Sequence, residues 1–380
     1  MSLAPRSTAA FDELIDALVE VRNNYVLSPE RDFDEGEVLE GYRYALQFVS
    51  QVSELLLEND PLRPRFSSIV SPARKFLGDN PDSIYHQAAI RGDASYRITG
   101  RRTGQDYISY TVHGPDPKGG YGGAVLADVN DGDITFADDG TYEIVLSATR
   151  PDDATNWIEL QPDACLVIVR NYYQHEHCIQ NDPEAHIVLD IEPLEDLGPS
   201  PAVTDDELAR RLQESAAMLR AVTLGLRQFG VPSDMPFAGK EPNTVGTPWS
   251  FRASGAEVAG AVDIFYSTGS FELEPGEALV MEGTIPPSRF TNVMLWNVHM
   301  QTLDYRTRQT SLNESQIVPE PDGSYRIVIS DTDPGVPNWI DTAGHRRGTI
   351  FWRFLLPESD PETPRCRVVP VADLTSGAST

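Results

Sequence analysis

The segment Asn80-Pro-Asp-Ser-Ile-Tyr85 concentrates side chains that can do chemistry, namely an amide, a carboxylate and a phenol. A carboxylate and an imidazole that act together can exchange protons with a hydroxyl group or a water molecule. We therefore predict Asp82 and His113 as the catalytic pair, with Asn80 and Tyr85 binding the substrate. The alternative is an Asx-type turn made by Asn80 and Asp82, with Tyr85 packed in the core.

Two further candidates for substrate binding are Trp157 and Arg170. An indole face suits a sugar ring, and a guanidinium group inside an apolar strand can bind an anion through two hydrogen bonds. Both residues recur in the second half of the chain, as Trp339 and Arg353. Recurrence favours structural roles for both residues. Trp157 would be a core tryptophan after a turn-forming asparagine, and Arg170 would pair with a carboxylate at the margin of a sheet.

The sequence His175-Glu-His177 is the weak candidate for metal binding. On a strand, alternate residues point to one side, so both imidazoles could bind one ion, with His113 or His186 as a third ligand. No complete ligand signature accompanies them, and a polar surface cluster is the favoured interpretation. We assign no cofactor, although a divalent metal remains compatible with the sequence.

These residues lie on a tandem duplication with an offset of 183 residues. Gly283 corresponds to Gly100, Tyr325 to Tyr142, and Arg353 to Arg170. The repeat implies that residues kept in both copies serve the shared fold, whereas chemistry in one copy needs another explanation. His113, His175 and His177 occur only in the first copy, where the second has Trp296, Glu358 and Asp360.

Apolar periodicity predicts amphipathic helices near residues 11–24 and 38–52, and a long connecting helix from Thr204 to Gly230 that packs on both sheets. From about residue 83 the period changes to two, and turns are frequent. This pattern favours a mainly β (α+β) fold of tandem antiparallel β-sandwich or jelly-roll-like repeats. The glycine-rich Gly119–Gly123 run indicates a flexible loop. We expect an N-terminal helical segment (1–75), a first β-sandwich (76–200), the connecting helix (201–235), a second β-sandwich (236–372) and a tail (373–380).

Several of these strings resemble a bacterial family known as domain of unknown function 1214, which is often joined to domain of unknown function 1254. The resemblance rests on Asn80–Tyr85, the Asp139-Gly140 strand, Asn156-Trp157, the Arg170 strand and the C-terminal Pro337-Asn-Trp-Ile with Gly348-Thr-Ile-Phe-Trp-Arg353. It spans most of residues 75–360 and implies a β-rich fold with accessory helices. It implies no activity.

The chain of 380 residues carries 58 acidic and 30 basic side chains, a formal net charge of -28. Such a charge repels nucleic acid and anionic membranes, so we expect neither as a partner. Without a secretory signal or CxxC spacing, we expect a cytoplasmic protein whose three cysteines form no disulfide framework.

We therefore expect an enzyme, a hydrolase or lyase that acts on a small polar or glycosidic substrate in a cleft of the first repeat. The alternative is a non-catalytic double β-sandwich that binds carbohydrate or another small ligand, in which Trp157 and Trp339 would both face solvent. The sequence leaves the oligomeric state open.

Overall fold

A computed structural model describes residues 5–117, 122–226, 228–229, 233–251 and 261–375. Most of the expected Gly119–Gly123 loop, and Gly230 at the expected end of the connecting helix, lie outside these ranges. The described helices are α1 Arg6–Val21, α2 Glu35–Val52, α3 Asp205–Val222 and α4 Val371–Thr375. No helix within these ranges is long and apolar enough to cross a membrane.

The described residues form eighteen strands, nine in each half of the chain. The first half has β1 Ser67–Ser68, β2 Ser83–Ala89, β3 Tyr96–Arg101, β4 Tyr107–His113, β5 Val125–Asn130, β6 Thr141–Ser147, β7 Trp157–Glu159, β8 Leu166–Tyr172 and β9 Val188–Pro193. The second half has β10 Trp249–Ser250, β11 Ile264–Glu272, β12 Glu277–Gly283, β13 Phe290–Trp296, β14 Ser311–Asn313, β15 Tyr325–Ser330, β16 Trp339–Asp341, β17 Arg347–Leu355 and β18 Arg365–Pro370.

Each half folds into a five-stranded sheet packed on a four-stranded sheet. The five-stranded orders are β1-β2-β8-β4-β5 and β10-β11-β17-β13-β14, and the four-stranded orders are β7-β6-β3-β9 and β16-β15-β12-β18. The orders correspond strand for strand. Gly100 lies opposite Tyr142, and Gly283 lies opposite Tyr325, in the same register. The mainly β fold and the tandem repeat are therefore confirmed.

The five-stranded sheets, which we call the central sheets, are buried on both faces. In β8, Val167 and Val169 enter the core of the first sandwich. Alternate residues of a strand point to opposite sides, so Arg170 and Tyr172 point away from that core. Tyr172 packs there with residues of the second repeat, including Phe290 and Leu355. The two central sheets thus face each other, and a site between them can use side chains from both repeats.

The helices cover part of the first central sheet. In α3, Met218 and Leu219 belong to a cluster that also contains Ile168 of β8. Thr204 caps α3 by accepting a hydrogen bond from the Glu207 N–H at 3.1 Å. The Glu207 carboxylate binds Arg210 and Arg211, so the reciprocal half of the capping box that the sequence indicates does not form. Two further expectations are corrected. The helix ends at Val222 rather than near Gly230, and its described core contacts involve the first sheet only.

Candidate functional site

A cavity of about 660 Å³ lies between the central sheets. Its volume falls within the range of small-molecule pockets. Aromatic side chains from both repeats form much of the wall, and the guanidinium-bearing side chains of Arg170 and Arg353 open onto the same space. The aromatic lining includes Tyr85, Tyr172, Tyr266, Trp296 and Phe351.

The two arginines occupy equivalent places in the repeats. Arg170 on β8 pairs across the sheet with Tyr85 of β2, and Arg353 on β17 pairs with Tyr266 of β11. Both β8 and β17 are central strands, so the expected position at a sheet margin is wrong. Each repeat therefore contributes one such cross-strand pair of an arginine and a tyrosine to the cavity.

Both guanidinium groups act electrostatically on the same two hydroxyl groups. Burial raises the pKa of Tyr172 and of Tyr266, and both Arg170 and Arg353 oppose that rise at each hydroxyl through electrostatic attraction for the phenolate. Four polar groups from two repeats thus meet within one electrostatic environment. An acidic ligand group placed there would meet two cations and hydroxyl donors.

Arg353 is 5% exposed and has no carboxylate within ion-pair distance among the described residues. Its Nη2 donates to the carbonyl oxygen of Gly78 at 2.8 Å, and its Nη1 contacts the Met294 sulfur at 3.0 Å. The guanidinium carbon lies 4.7 Å from the ring centre of Phe351 and 5.4 Å from that of Trp296. Aromatic faces attract a cation but do not neutralise it, so Arg353 remains available to an anion.

Arg170 is 7% exposed and is held differently. Its Nη1 donates to the Thr111 hydroxyl at 2.6 Å, and that hydroxyl donates to a carboxylate oxygen of Asp128, also at 2.6 Å. The charge of Arg170 is thus balanced through one intervening hydroxyl group. The expected direct pairing with a carboxylate is absent in the described part of both repeats.

Asp82 does not line the cavity, but ties the two repeats together. Its carboxylate accepts hydrogen bonds from the side-chain amides of Asn292 at 2.9 Å and Asn313 at 3.2 Å, both in the second repeat. Burial raises its pKa to about 6, against the opposing effect of these hydrogen bonds and of Arg353. Its carboxylate is therefore engaged in structure rather than presented to a substrate.

The second repeat makes the reciprocal tie with Asp263. That carboxylate accepts hydrogen bonds from Asn130 at 2.8 Å and from the Tyr107 hydroxyl at 2.7 Å, both in the first repeat. Asn130 and Asn313 are separated by 183 residues, so the two ties are equivalent. The signal was present in the sequence, because Asp82-Ser-Ile-Tyr85 resembles Asp263-Ile-Phe-Tyr266. This correspondence is not found at the offset of 183, because the two strings are separated by 181 residues along the chain.

The structure separates Asp82 from His113. Asp82 precedes Ser83, which pairs with Tyr172 of β8, whereas His113 pairs with Leu166, six residues further along that strand. Six residues of strand span roughly 20 Å. The expected proton-transfer pair is therefore not assembled.

His113 is fully buried at its end of the sheet. Its Nδ1 lies 3.1 Å from the carbonyl oxygen of Gly123, and its Nε2 has no hydrogen-bond partner among the described residues. Burial, with a smaller contribution from Arg170, lowers its pKa to about 4, and the Gly123 contact opposes this shift. His113 is thus neutral at physiological pH.

Asn80 forms the Asx-type turn that the sequence allowed. Its side-chain oxygen accepts a hydrogen bond from the Asp82 N–H at 3.0 Å and another from Asn292 at 2.8 Å, and its amide donates to Ser83. Asn80 is 1% exposed. Tyr85, by contrast, lies on the cavity wall, and its hydroxyl donates to that of Tyr172 at 3.4 Å.

Trp157 lies on β7, at the edge of the flanking four-stranded sheet and away from the cavity lining. It is partly buried, and its indole N–H donates to Ser147 at 3.0 Å, as that of Trp339 does to Ser330. Asn156, before Trp157, binds the backbone of Thr135 with both amide atoms. The asparagine contacts agree with a structural role for the Asn-Trp pairs, but Trp157 and Trp339 are partly buried on edge strands and are not core residues as expected.

His175 and His177 follow the end of β8 and are exposed in a loop, so the side-by-side geometry expected on a strand does not apply. No group of three or more His, Cys, Asp or Glu side chains is placed to hold a metal ion within the described ranges. The described residues thus offer these two histidines no third ligand.

Comparisons with known proteins give a family and a fold. A family model described as a protein of unknown function, DUF1214, matches residues 86–176 and again residues 273–359. A crystal structure of an uncharacterized protein from Burkholderia cenocepacia has a TM-score of 0.82 and 29% identity, covering 96% of this chain and 97% of that one. The VPA0106 protein from Vibrio parahaemolyticus covers 95% of this chain and 100% of its own, at 12% identity and a TM-score of 0.49. No curated protein matches the chain.

Proposed function

The chain belongs to the DUF1214 family, with one copy of the matched domain in each repeat, and we propose that it binds a small anionic molecule with an apolar body between the central sheets. One observation carries this proposal. Two buried arginines, one from each repeat, open onto a single aromatic cavity, and neither has a carboxylate within ion-pair distance among the described residues.

The energetics of burial favour an anionic ligand. An unpaired charge in a protein interior is costly, and a charged partner with good hydrogen-bond geometry offsets that cost. The guanidinium fork of Arg353 or Arg170 matches a carboxylate, sulfonate or phosphate oxygen pair. A ligand with such a group would relieve the cost that the apo protein carries.

The rest of the lining favours an apolar body. Phe76, Trp296 and Phe351 present carbon-rich surface to the cavity. A hydrated carbohydrate would lose its water contacts against these rings and regain few hydrogen bonds, whereas an aromatic or alicyclic skeleton would bury apolar surface favourably. The lining thus narrows the expected small-ligand function to amphipathic acids.

Binding is favoured over the hydrolase or lyase activity that the sequence first suggested. Catalysis of that kind needs an acid and a base within reach of the same substrate atom. The assigned groups, Asp82 and His113, lie beside opposite ends of β8, and neither lines the cavity. The two-repeat ligand-binding protein is therefore the better supported function.

A pair of dyes tests the proposal. Anilinonaphthalene sulfonate and phenylnaphthylamine share one ring system, but only the former carries an anionic group. We expect the sulfonate to bind the wild-type protein more tightly than the neutral dye. Arg353→Met should weaken sulfonate binding by about 1.5–3 kcal/mol, or roughly 10- to 100-fold, because a hydrogen bond to a charged group is lost. Fluorescence titration measures both affinities.

The neutral dye and a surface variant provide the controls. Phenylnaphthylamine should bind Arg353→Met about as well as the wild type, because the aromatic walls remain. Arg101→Met, which removes an exposed arginine from β3, should change neither affinity. Exposed apolar residues such as Phe11 and Leu46 can also bind dye, but that fraction is independent of Arg353. Equal sulfonate affinity in Arg353→Met and wild type would contradict the proposal.

A further inference from the structure

The two repeats balance their buried arginines differently. In the first repeat, Arg170 is linked through Thr111 to Asp128, which lies opposite Thr111 on the edge strand β5. The offset of 183 places Met294 and Ser311 at the corresponding positions of the second repeat, and these two residues again lie opposite each other. The second repeat therefore lacks both the bridging hydroxyl group and the carboxylate behind it.

Other charged groups near Arg353 are already engaged. Asp79 accepts hydrogen bonds from the backbone N–H and hydroxyl group of Thr302, and Lys75 attracts it electrostatically. Asp82 is bonded to two asparagine amides. Both carboxylates act on Arg353 through space, but neither lies within ion-pair distance of it in the described structure.

Building on the proposed function, we infer that the cavity takes a molecule with a single acidic group, and that Arg353 is the residue that binds this group. Arg170 is linked to a carboxylate within its own repeat, so Arg353 is the buried guanidinium group of the cavity that has no such link. Lys240 and Glu241 also line the cavity, but they are exposed and carry opposite charges. A monoanion neutralises the charge of Arg353. In the buried part of the cavity, a second acidic group would lack an unpaired cation among the described residues and would carry the cost of its desolvation.

The environment of Arg353 prepares it for this role. A guanidinium group has five N–H donors. Two of them are used by the Gly78 carbonyl oxygen and the Met294 sulfur. The Phe351 and Trp296 rings pack close to the guanidinium group and restrict its orientation. The remaining donors can bind an acidic group without a large loss of side-chain entropy, because the side chain is already ordered.

Three naphthalene compounds test the inference by calorimetry: naphthoate, naphthalene dicarboxylate and neutral naphthamide. For the wild-type protein we expect naphthoate to bind about tenfold or more tightly than naphthamide, and the dicarboxylate to bind no more tightly than naphthoate. Arg353→Met should remove the preference for naphthoate, whereas Arg170→Met should reduce naphthoate affinity by less than about threefold.

Exchange of the balancing residues between repeats is the sharper test. Met294→Thr with Ser311→Asp gives Arg353 the hydroxyl group and carboxylate that Arg170 has. This variant should bind naphthoate about tenfold more weakly and naphthamide as before. The matched control, Met294→Thr with Ser311→Asn, has the same shape without the charge. It should bind naphthoate within about threefold of the wild type, because the introduced hydroxyl group replaces the Met294 sulfur as the acceptor for Arg353. Unchanged naphthamide binding in each variant verifies that the cavity is intact.

The opposite exchange, which places the residues of the second repeat in the first, tests the inference even if a carboxylate at position 311 prevents folding. Thr111→Met with Asp128→Ser removes the balance from Arg170, so affinity for the dicarboxylate should rise about tenfold. The inference would be overturned if the wild type bound the dicarboxylate more tightly than the other two compounds. It would also be overturned if the variant with Ser311→Asp bound naphthoate as tightly as the wild type does. Either result would leave the proposed function standing. Absence of binding by all three compounds, or equal affinity for naphthoate and naphthamide, would instead overturn the proposed function.

Discussion

The buried carboxylate of Asp82 should make the protein less stable as the pH rises from about 4 to about 6. Burial raises its pKa from an ordinary 3.8 to about 6, so the folded state holds the proton more tightly than the unfolded state. Stability from the protonated form is therefore fully present below the unfolded pKa and is lost as the pH rises through the folded pKa. The shift of about two units corresponds to about 3 kcal/mol.

The variant Asp82→Asn removes this dependence. An asparagine has nearly the same shape as the protonated acid and no charge at any pH, and it can still accept a hydrogen bond from Asn292 or Asn313. Relative to the wild type, the free energy of unfolding of the variant should therefore increase by about 2.5 kcal/mol between pH 4 and pH 7. Roughly half of this change falls above pH 5, where measurements stay clear of the isoelectric point of about 4.5.

Urea denaturation at several pH values, followed by tryptophan fluorescence, measures the difference. Asp152→Asn, at an exposed position outside the contact between repeats, is the control and should leave the pH profile parallel to that of the wild type. If Asp82→Asn also gave a parallel profile, the carboxylate would not carry the burial cost assigned to it. The same variant should retain sulfonate dye affinity within about threefold, because Asp82 does not line the cavity. A much larger loss of dye affinity would indicate that Asp82 does contribute to the binding site.

Two further predictions concern the fold. Burial opposes protonation of His345, but its hydrogen bond to Glu40 at 3.0 Å raises the pKa of His345 above its usual value. The protonated His345 therefore stabilises the fold at a pH below its unfolded pKa, and this stabilisation is lost as the pH rises through its folded pKa. His345→Gln should thus lower the unfolding free energy by about 1 kcal/mol at pH 5.5 and by less at pH 8.5; an equal loss at both values would contradict this. Gly100→Ala should cost about 1–3 kcal/mol, because its Cβ would lie 2.3 Å from the Tyr142 hydroxyl oxygen. Gly283→Ala, where the equivalent contact would be 2.8 Å, should lower the melting temperature less, and the reverse order would refute the steric argument.

Local patterns in the sequence were sufficient to predict the architecture. The period of two that begins near residue 83 predicted strands, and β6 at Thr141–Ser147 places its alternate residues Tyr142, Ile144 and Leu146 in the core. The repeat of Gly100 and Tyr142 as Gly283 and Tyr325 predicted two equivalent sheets. Strand patterns depend on neighbouring residues, and a repeat depends on recurrence within the chain, so both can be identified directly from the sequence.

The cavity could not be predicted in the same way, because it forms where distant segments pack together. Arg170 was a candidate for anion binding, but nothing in the sequence showed that Arg353 would open onto the same space. Asp82 looked catalytic because its partners, Asn292 and Asn313, lie more than 200 residues away. The end of α3 at Val222 was also missed, since apolar spacing continues through turns that leave the helix.

The reciprocal ties of Asp82 to Asn313 and of Asp263 to Asn130 are the contacts that two identical subunits would exchange across a two-fold axis. In a homodimer, any substitution near that axis changes both halves at once, so a ligand lying across it meets two identical ends. Joining the halves in one chain removes that constraint. Thr111 and Met294 could then diverge separately, and a molecule with distinguishable head and tail acquires one preferred direction in the cavity.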